Sequence, residues 1–218
     1  MLPMSTKRRI QILVGLFLAF VVAELGLTPY AQKLFGTLVG RELPWWLLVA
    51  AMLLYILFVE RRPLSSIGLT KPTWKSVVWG VAAGLVLFAG AGVIFTIVFP
   101  ALGLHLNQKA AAGLIQTPLL YRLALVARAA VAEEILYRGY PIERLDELTG
   151  SRVLAAVVSC AAFTYAHLGY WGWAQLLVAG FGGIVLTALY LWRRDLSCNM
   201  VAHFIADGIS FLILPAIT

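Results

Sequence analysis

Apolar runs of roughly 20 residues recur from one end of this 218-residue chain to the other, and that length spans a bilayer as helix. Backbone groups in lipid must bond within the chain, which helices do without a closed set of strands. The chain therefore reads as an all-α, polytopic transmembrane helix bundle. Hydrophobic residues make up 61% and charged residues only 12%, about half the charged share of a soluble domain. The apolar runs use up the length, so residues 1–218 read as a single membrane domain.

Seven spans are predicted, near residues 10–30, 44–60, 75–100, 118–140, 152–168, 174–192 and 198–217; an eighth or a re-entrant segment would alter the C-terminal half. Turn signals separate them: "GRELP" at 40–44, "ERRPLSS" at 60–66, "LTGS" at 148–151 and "RRDLS" at 193–197. No internal repeat stands out. The opening "MLPMSTKRRIQILVGLFLAFVVAELG" is basic and then apolar, as a signal peptide is, but its length favours an uncleaved first span.

The net charge of +7 does not point to nucleic acid, because excess Lys and Arg in a membrane protein marks cytoplasmic loops. With the N-terminus inside, the cytoplasmic face holds Lys7, Arg8, Arg9, Arg61, Arg62, Lys71, Lys75, Arg144, Arg152, Arg193 and Arg194. The outer face holds Lys33, Arg41 and Lys109, eleven against three. The C-terminus is then outside. Cys160 and Cys198 imply no disulfide framework and read as small buried hydrophobes.

Ionisable groups inside spans are costly and are functional candidates by default. They gather in the second half. Span four carries Arg122, Arg128, Glu133, Glu134 and Arg138 in and before "AVAEEILYRGYP". Span five ends in "FTYAHLG" with His167, and span seven opens with "NMVAHFIAD", holding His203 and Asp207. Glu134 and Arg138, Phe163 and His167, and His203 and Asp207 are each four apart, so each pair shares a helix face. Glu133 points about 100° from Glu134 and is free for another partner. Glu133 lies 17 residues before the turn at Gly150 and His167 lies 17 after it, so two antiparallel helices would bring them to one level, about 25 Å from the turn. The same count does not reach His203 unless span six is short, tilted or broken, for which "GFGG" at 180–183 is a candidate.

A carboxylate and an imidazole on one water can activate it as a nucleophile, and polar groups opposite can hold the oxyanion of an attacked amide. That combination fits peptide hydrolysis inside the membrane. Each group also has a plainer reading: Glu134–Arg138 as a structural ion pair, either histidine as interfacial, Asp207 as a helix-terminal polar residue. Their joint occurrence favours chemistry. Glu24 reads as a bundle-facing carboxyl, Glu60 as an interfacial anchor, His105 as solvated, and Trp45, Trp46, Trp74, Trp171 and Trp173 as interface belts.

These residues carry a family resemblance. "EEILYRG" resembles the EExxxR motif of the CPBP family of CAAX-protease and bacteriocin-processing intramembrane proteases, which includes lysostaphin-resistance-like proteins. "FTYAH" is similar to its FxxxH motif, and "HFIAD" to its HxxxN/D motif, in the same order. The resemblance covers about residues 118–212 as a catalytic core, with residues 1–110 forming N-terminal spans of weaker signature. It implies an intramembrane endopeptidase with its cavity among the last four or so helices. Glu133 would be the general base with His167 on the same water. His203 and Asp207 would form the oxyanion side, and Glu134 and Arg138 would support the first motif. The prenyl-protein proteases have Asn where this chain has Asp207, and an ionised Asp cannot donate. Glu133, His167, His203 and Asp207 are also competent zinc ligands by type, so a metal-free glutamate mechanism is favoured with Zn2+ as the alternative. The expected partners are membrane lipid and a membrane-associated peptide or protein substrate, with no nucleic acid; a substrate-presenting partner is left open. The expected location is a prokaryotic cytoplasmic membrane. A non-catalytic immunity or scaffold protein and a small transporter or proton relay are the rival readings.

Overall fold

The computed structural model describes residues 4–21, 28–105 and 107–213. Every regular element among them is helical: α1 Thr6–Phe20, α2 Thr28–Phe35, α3 Thr37–Leu54, α4 Trp74–Val93, α5 Phe99–Leu102, α6 Gln108–Ile115, α7 Leu119–Glu134, α8 Tyr140–Thr149, α9 Arg152–Ala166, α10 Leu168–Trp171, α11 Gln175–Arg193 and α12 Leu196–Gly208, with a 3₁₀ turn at Leu64–Ile67. Widened π turns continue four of them, at Tyr55–Val59, Ile94–Val98, Ile135–Gly139 and Ile209–Ile213. Glu24 lies outside the described residues.

Each of the seven predicted spans meets a helix, but length and composition qualify fewer as crossings. Val39–Val59, Trp74–Leu102, Gln175–Arg193 and Leu196–Ile213 are long and apolar enough, and Gln108–Ile115 with Leu119–Thr149 adds a fifth if that pair, bent by 117°, is one span. The count of seven to eight therefore stands only as four or five on these grounds. α9, at 15 residues, is about 22 Å long, short of a roughly 30 Å apolar layer. The rod from Leu119 to Thr149 is long enough, at about 45 Å. What sets it apart is its charge, since it carries Arg122, Arg128, Glu133, Glu134 and Arg138. Its last turns, with Glu143, Arg144, Asp146 and Glu147, run past the apolar stretch.

Local signals explain the helix starts. Thr73 and Ser76 form a reciprocal capping box on α4, Ser151 caps α9 and Asp195 caps α12, each satisfying an otherwise orphaned N–H. "GRELP" is the exception. It reads as a turn, yet α3 runs through it, and Pro44 sits inside the helix without the N–H that would bond Gly40.

α4 and α12 pack closely because α4 presents glycine four residues apart. A Cβ at Gly80 would lie 2.6 Å from Val201 Cβ and 2.7 Å from the Cys198 carbonyl, and one at Gly84 would lie 2.7 Å from the Ala202 carbonyl. Small residues at this spacing let membrane helices approach to backbone contact. The approach sets the depth of α12, and with it His203. Both cysteines are free, and Cys198 is buried as expected.

One end of the bundle collects the predicted cytoplasmic cations. Arg8 and Arg62 both donate to Glu147. Arg144 and Tyr140 donate to Glu60, and Arg152, Arg194 and Tyr190 donate to Glu143. Ser76 donates to Asp195 at 2.5 Å. Glu60 is a correction: expected as an interfacial anchor, its side chain is fully buried. Tyr140 and Arg144 reach it because α8 packs against the chain leaving the third helix.

Candidate active site

The buried hub is Glu134. Its side chain and that of Arg138 have no exposed surface, and Arg138 Nη1 donates to Glu134 Oε1 at 3.0 Å. The four-residue spacing within one helix produces this pair, as the sequence predicts. His203 Nδ1 lies 2.8 Å from the same oxygen. Asn199 Nδ2 donates to Oε2 at 3.1 Å and to the Leu186 carbonyl at 2.7 Å. One carboxylate thus receives groups from its own helix and from two positions on α12, and Asn199 ties both to α11.

The π turn at 135–139 begins directly after Glu134. Such turns occur often at functional sites, and this one holds Arg138 over the Phe163 ring, 3.8 Å from its centroid. The Ser159 hydroxyl donates to the Tyr137 carbonyl, which ties α9 to the turn.

Glu133 faces another way. Its Oε1 accepts from Arg128 Nη1 at 3.2 Å, and its Oε2 lies 3.9 Å from His203 Nε2. The same Nε2 lies 3.5 Å from Asp207 Oδ2. Helical spacing predicts that His203 and Asp207 share a face, and they do. His203 is therefore anchored at one ring nitrogen and turns the other toward two carboxylates.

His167 stands apart. Its ring packs on Phe163 at 4.6 Å between centroids, as the spacing predicts. Its Nδ1 lies 2.8 Å from the Phe163 carbonyl, which only accepts, so Nδ1 carries a hydrogen, and in the neutral ring Nε2 is the acceptor. Phe163 also edges His203, at 6.4 Å. Among the described residues no hydrogen bond or ion pair joins His167 to Glu133.

The depth of His203 has a simple cause, and "GFGG" is not it, because α11 runs unbroken through residues 180–183. The turn between α11 and α12 does not lie level with Gly150. Arg194 at that turn donates to Glu143. Glu143 is nine residues after Glu134, and His203 is nine residues after Arg194. Counted from that shared level, both sit about 13 Å up.

Buried polar atoms remain open here. Arg138 Nε and Nη2 and Asn199 Oδ1 have no hydrogen-bond partner among the described residues, although buried groups are nearly always satisfied. Two contributors were not singled out from sequence. Asn199 was legible as the residue one turn before His203 on the same face. Arg128 was visible as a charge in the span but had no assigned partner. As for a metal, no three of His, Cys, Asp and Glu among the described residues converge as a metal site needs. The four proposed ligands thus form no ready-made zinc site among the described residues, and no step is routed through a metal.

No curated protein and no solved structure matches the chain. A family model does: residues 115–209 match the type II CAAX prenyl endopeptidase Rce1-like family. The matched stretch begins just before α7 and ends just past α12, so it contains all three motifs and every residue of the hub. Residues 115–209 are therefore similar to the type II CAAX prenyl endopeptidase Rce1-like family, in agreement with the CAAX-protease, or CPBP, resemblance of the motifs.

Proposed function

We propose that the chain is an intramembrane endopeptidase that hydrolyses a peptide bond of a membrane-associated protein or peptide. The observation that carries this reading is His203, held at Nδ1 by Glu134 and presenting Nε2 toward Glu133 and Asp207 among membrane helices. A structural ion pair alone needs no such second imidazole face.

In this reading Glu133 takes a proton from a water whose oxygen adds to the scissile carbonyl carbon. His167, through Nε2, accepts the other hydrogen of that water and aligns it. The carbonyl oxygen becomes an oxyanion, to which His203 donates from Nε2. His203 thus donates from both ring nitrogens as an imidazolium, and Asp207, which as a carboxylate only accepts, balances that charge rather than binding the oxyanion. The proton on Glu133 passes to the amide nitrogen as the C–N bond breaks. Glu134, Arg138 and Asn199 fix the histidine. The cation-rich end, which gathers Arg8, Arg62, Arg144, Arg152 and Arg194, supports an orientation with the N-terminus on the cytoplasmic side, and the proposed location is a prokaryotic cytoplasmic membrane.

The test is cleavage of an internally quenched membrane-peptide library in liposomes. Wild type is compared with Glu133→Gln and His167→Ala, each with and without a zinc chelator. Cleavage by wild type alone, unaffected by chelator, is expected. Equal cleavage by all three proteins would remove the assignment, and loss with chelator would replace it with metal chemistry.

A further inference from the structure

The site does not end with the matched region. Arg128 Nε donates to Glu42 Oε2 at 3.1 Å while its Nη1 holds Glu133 at 3.2 Å. Glu42 lies on α3, far outside residues 115–209. Tyr121 donates to the other oxygen of Glu42 at 2.9 Å, and the Arg128 guanidinium lies over the Trp45 ring, 5.0 Å from its centroid. Trp45 is thus more than an interface belt. The side chains of Arg128, Glu42 and Glu133 are all between 12% and 14% exposed, so this is a largely desolvated arrangement rather than a solvated surface pair.

We propose that Glu42 and Arg128 are positioning residues for Glu133, so that α3 completes the working site. This rests on the endopeptidase reading. The geometry explains what the pair does. Glu133 Oε2 stands 3.9 Å from His203 Nε2, beyond hydrogen-bond distance. Arg128 holds the other oxygen, Oε1, and keeps that gap open, which leaves Glu133 and His203 each available to water and substrate. Glu42 in turn occupies Nε, at the edge of the guanidinium, so Arg128 cannot take Glu133 in its side-on Nε/Nη2 fork. Without Arg128, Glu133 collapses onto the imidazole. Without Glu42, Arg128 clamps Glu133 in a two-pronged pair. Both displacements misplace the base, and a shift of about 1 Å in a reacting group can cost 10²-fold.

The experiment measures kcat and KM separately on the library peptide cut best by wild type, for Arg128→Met, Arg128→Lys, Glu42→Gln and the double variant Arg128→Met/Glu42→Gln. A melting curve in the same detergent selects folded protein. Arg128→Met is expected to lower kcat about 10²-fold and Glu42→Gln about tenfold, with KM moving less than about threefold in each. Arg128→Lys restores part of the loss. The double variant is no slower than Arg128→Met, because Glu42 acts only through Arg128. Should Arg128→Met fail to fold, Glu42→Gln and Arg128→Lys carry the same test. A kcat within twofold of wild type in both Arg128→Met and Glu42→Gln, or in Arg128→Lys and Glu42→Gln should Arg128→Met not fold, with Glu133→Gln inactive, overturns this inference and leaves the endopeptidase reading standing. Wild-type activity in Glu133→Gln overturns that reading itself.

Discussion

Two polar clusters lie in this bundle, and they differ in how completely their groups are satisfied. At the cation-rich end, Glu60, Glu143 and Glu147 each accept from two or more donors. Within the membrane-embedded cluster, Glu134 is equally saturated. Around it Arg138 and Asn199 keep unpartnered atoms, and Glu133, His203 and Asp207 face each other at 3.5 and 3.9 Å. Saturated networks rigidify. Unpartnered buried atoms occur elsewhere among the described residues too, Arg8 Nη1 of the end cluster included; what sets the inner cluster apart is three ionisable side chains facing one another without closing into hydrogen bonds, which leaves them open to something else. The end cluster holds the bundle together, and the inner cluster is kept ready.

The sharpest way to break this contrast is Arg144→Met at the end cluster. It leaves Glu60 buried with a charge less well compensated. Breaking a buried pair by removing one partner costs about 3–5 kcal/mol, read as denaturant unfolding in micelles, with kcat of the folded fraction unchanged. A milder cost belongs to the inner cluster. Asn199→Ala removes one donor from Glu134 but also an atom that was itself unpartnered, so about 1–3 kcal/mol is expected. Unlike Arg144→Met, it should lower kcat, because His203 loses the bracing of its anchor; unchanged kcat would assign Asn199 a structural part alone.

Gly84→Ala tests the depth of α12. The new Cβ meets the Ala202 carbonyl at 2.7 Å, and overpacking of this kind costs about 1–3 kcal/mol. Because α12 carries His203, cleavage should fall as well.

The smallest effect concerns pH. Arg8 and Arg62 hold the Glu147 carboxyl down, to about 2 from 4.5. A depressed carboxylate contributes stability that is present above its unfolded value and lost as pH falls from about 4.5 toward 2. The melting difference between wild type and Glu147→Gln should therefore shrink between pH 5 and pH 3. Glu147 is partly exposed, which keeps the effect modest. A constant difference would mean that its charge contributes nothing.

The pairs that the sequence made legible are those set within one helix. Glu134–Arg138, Phe163–His167 and His203–Asp207 each follow from a four-residue spacing, and each is found. What the sequence left open depends on how helices slide past one another. Counting from Gly150 leaves His203 at the wrong level, because the turn at Arg194 packs beside Glu143 instead. That offset also decides that Glu134 is the carboxylate anchoring His203, while Glu133 is left to Arg128. Glu42 was hidden for a different reason: "GRELP" carries turn residues, and tertiary packing of α3 overrides them. Its partner lies 86 positions away, where no local spacing points.

The most direct measurement sets one residue from each cluster side by side. Peptide cleavage and unfolding are followed on Glu133→Gln and Arg144→Met in the same liposome and micelle preparations. The account predicts that Glu133→Gln loses cleavage by at least about 10²-fold while melting like wild type, and that Arg144→Met melts well below wild type while its folded fraction cleaves normally. Cleavage at the wild-type rate by Glu133→Gln, or abolished cleavage in folded Arg144→Met, would contradict it.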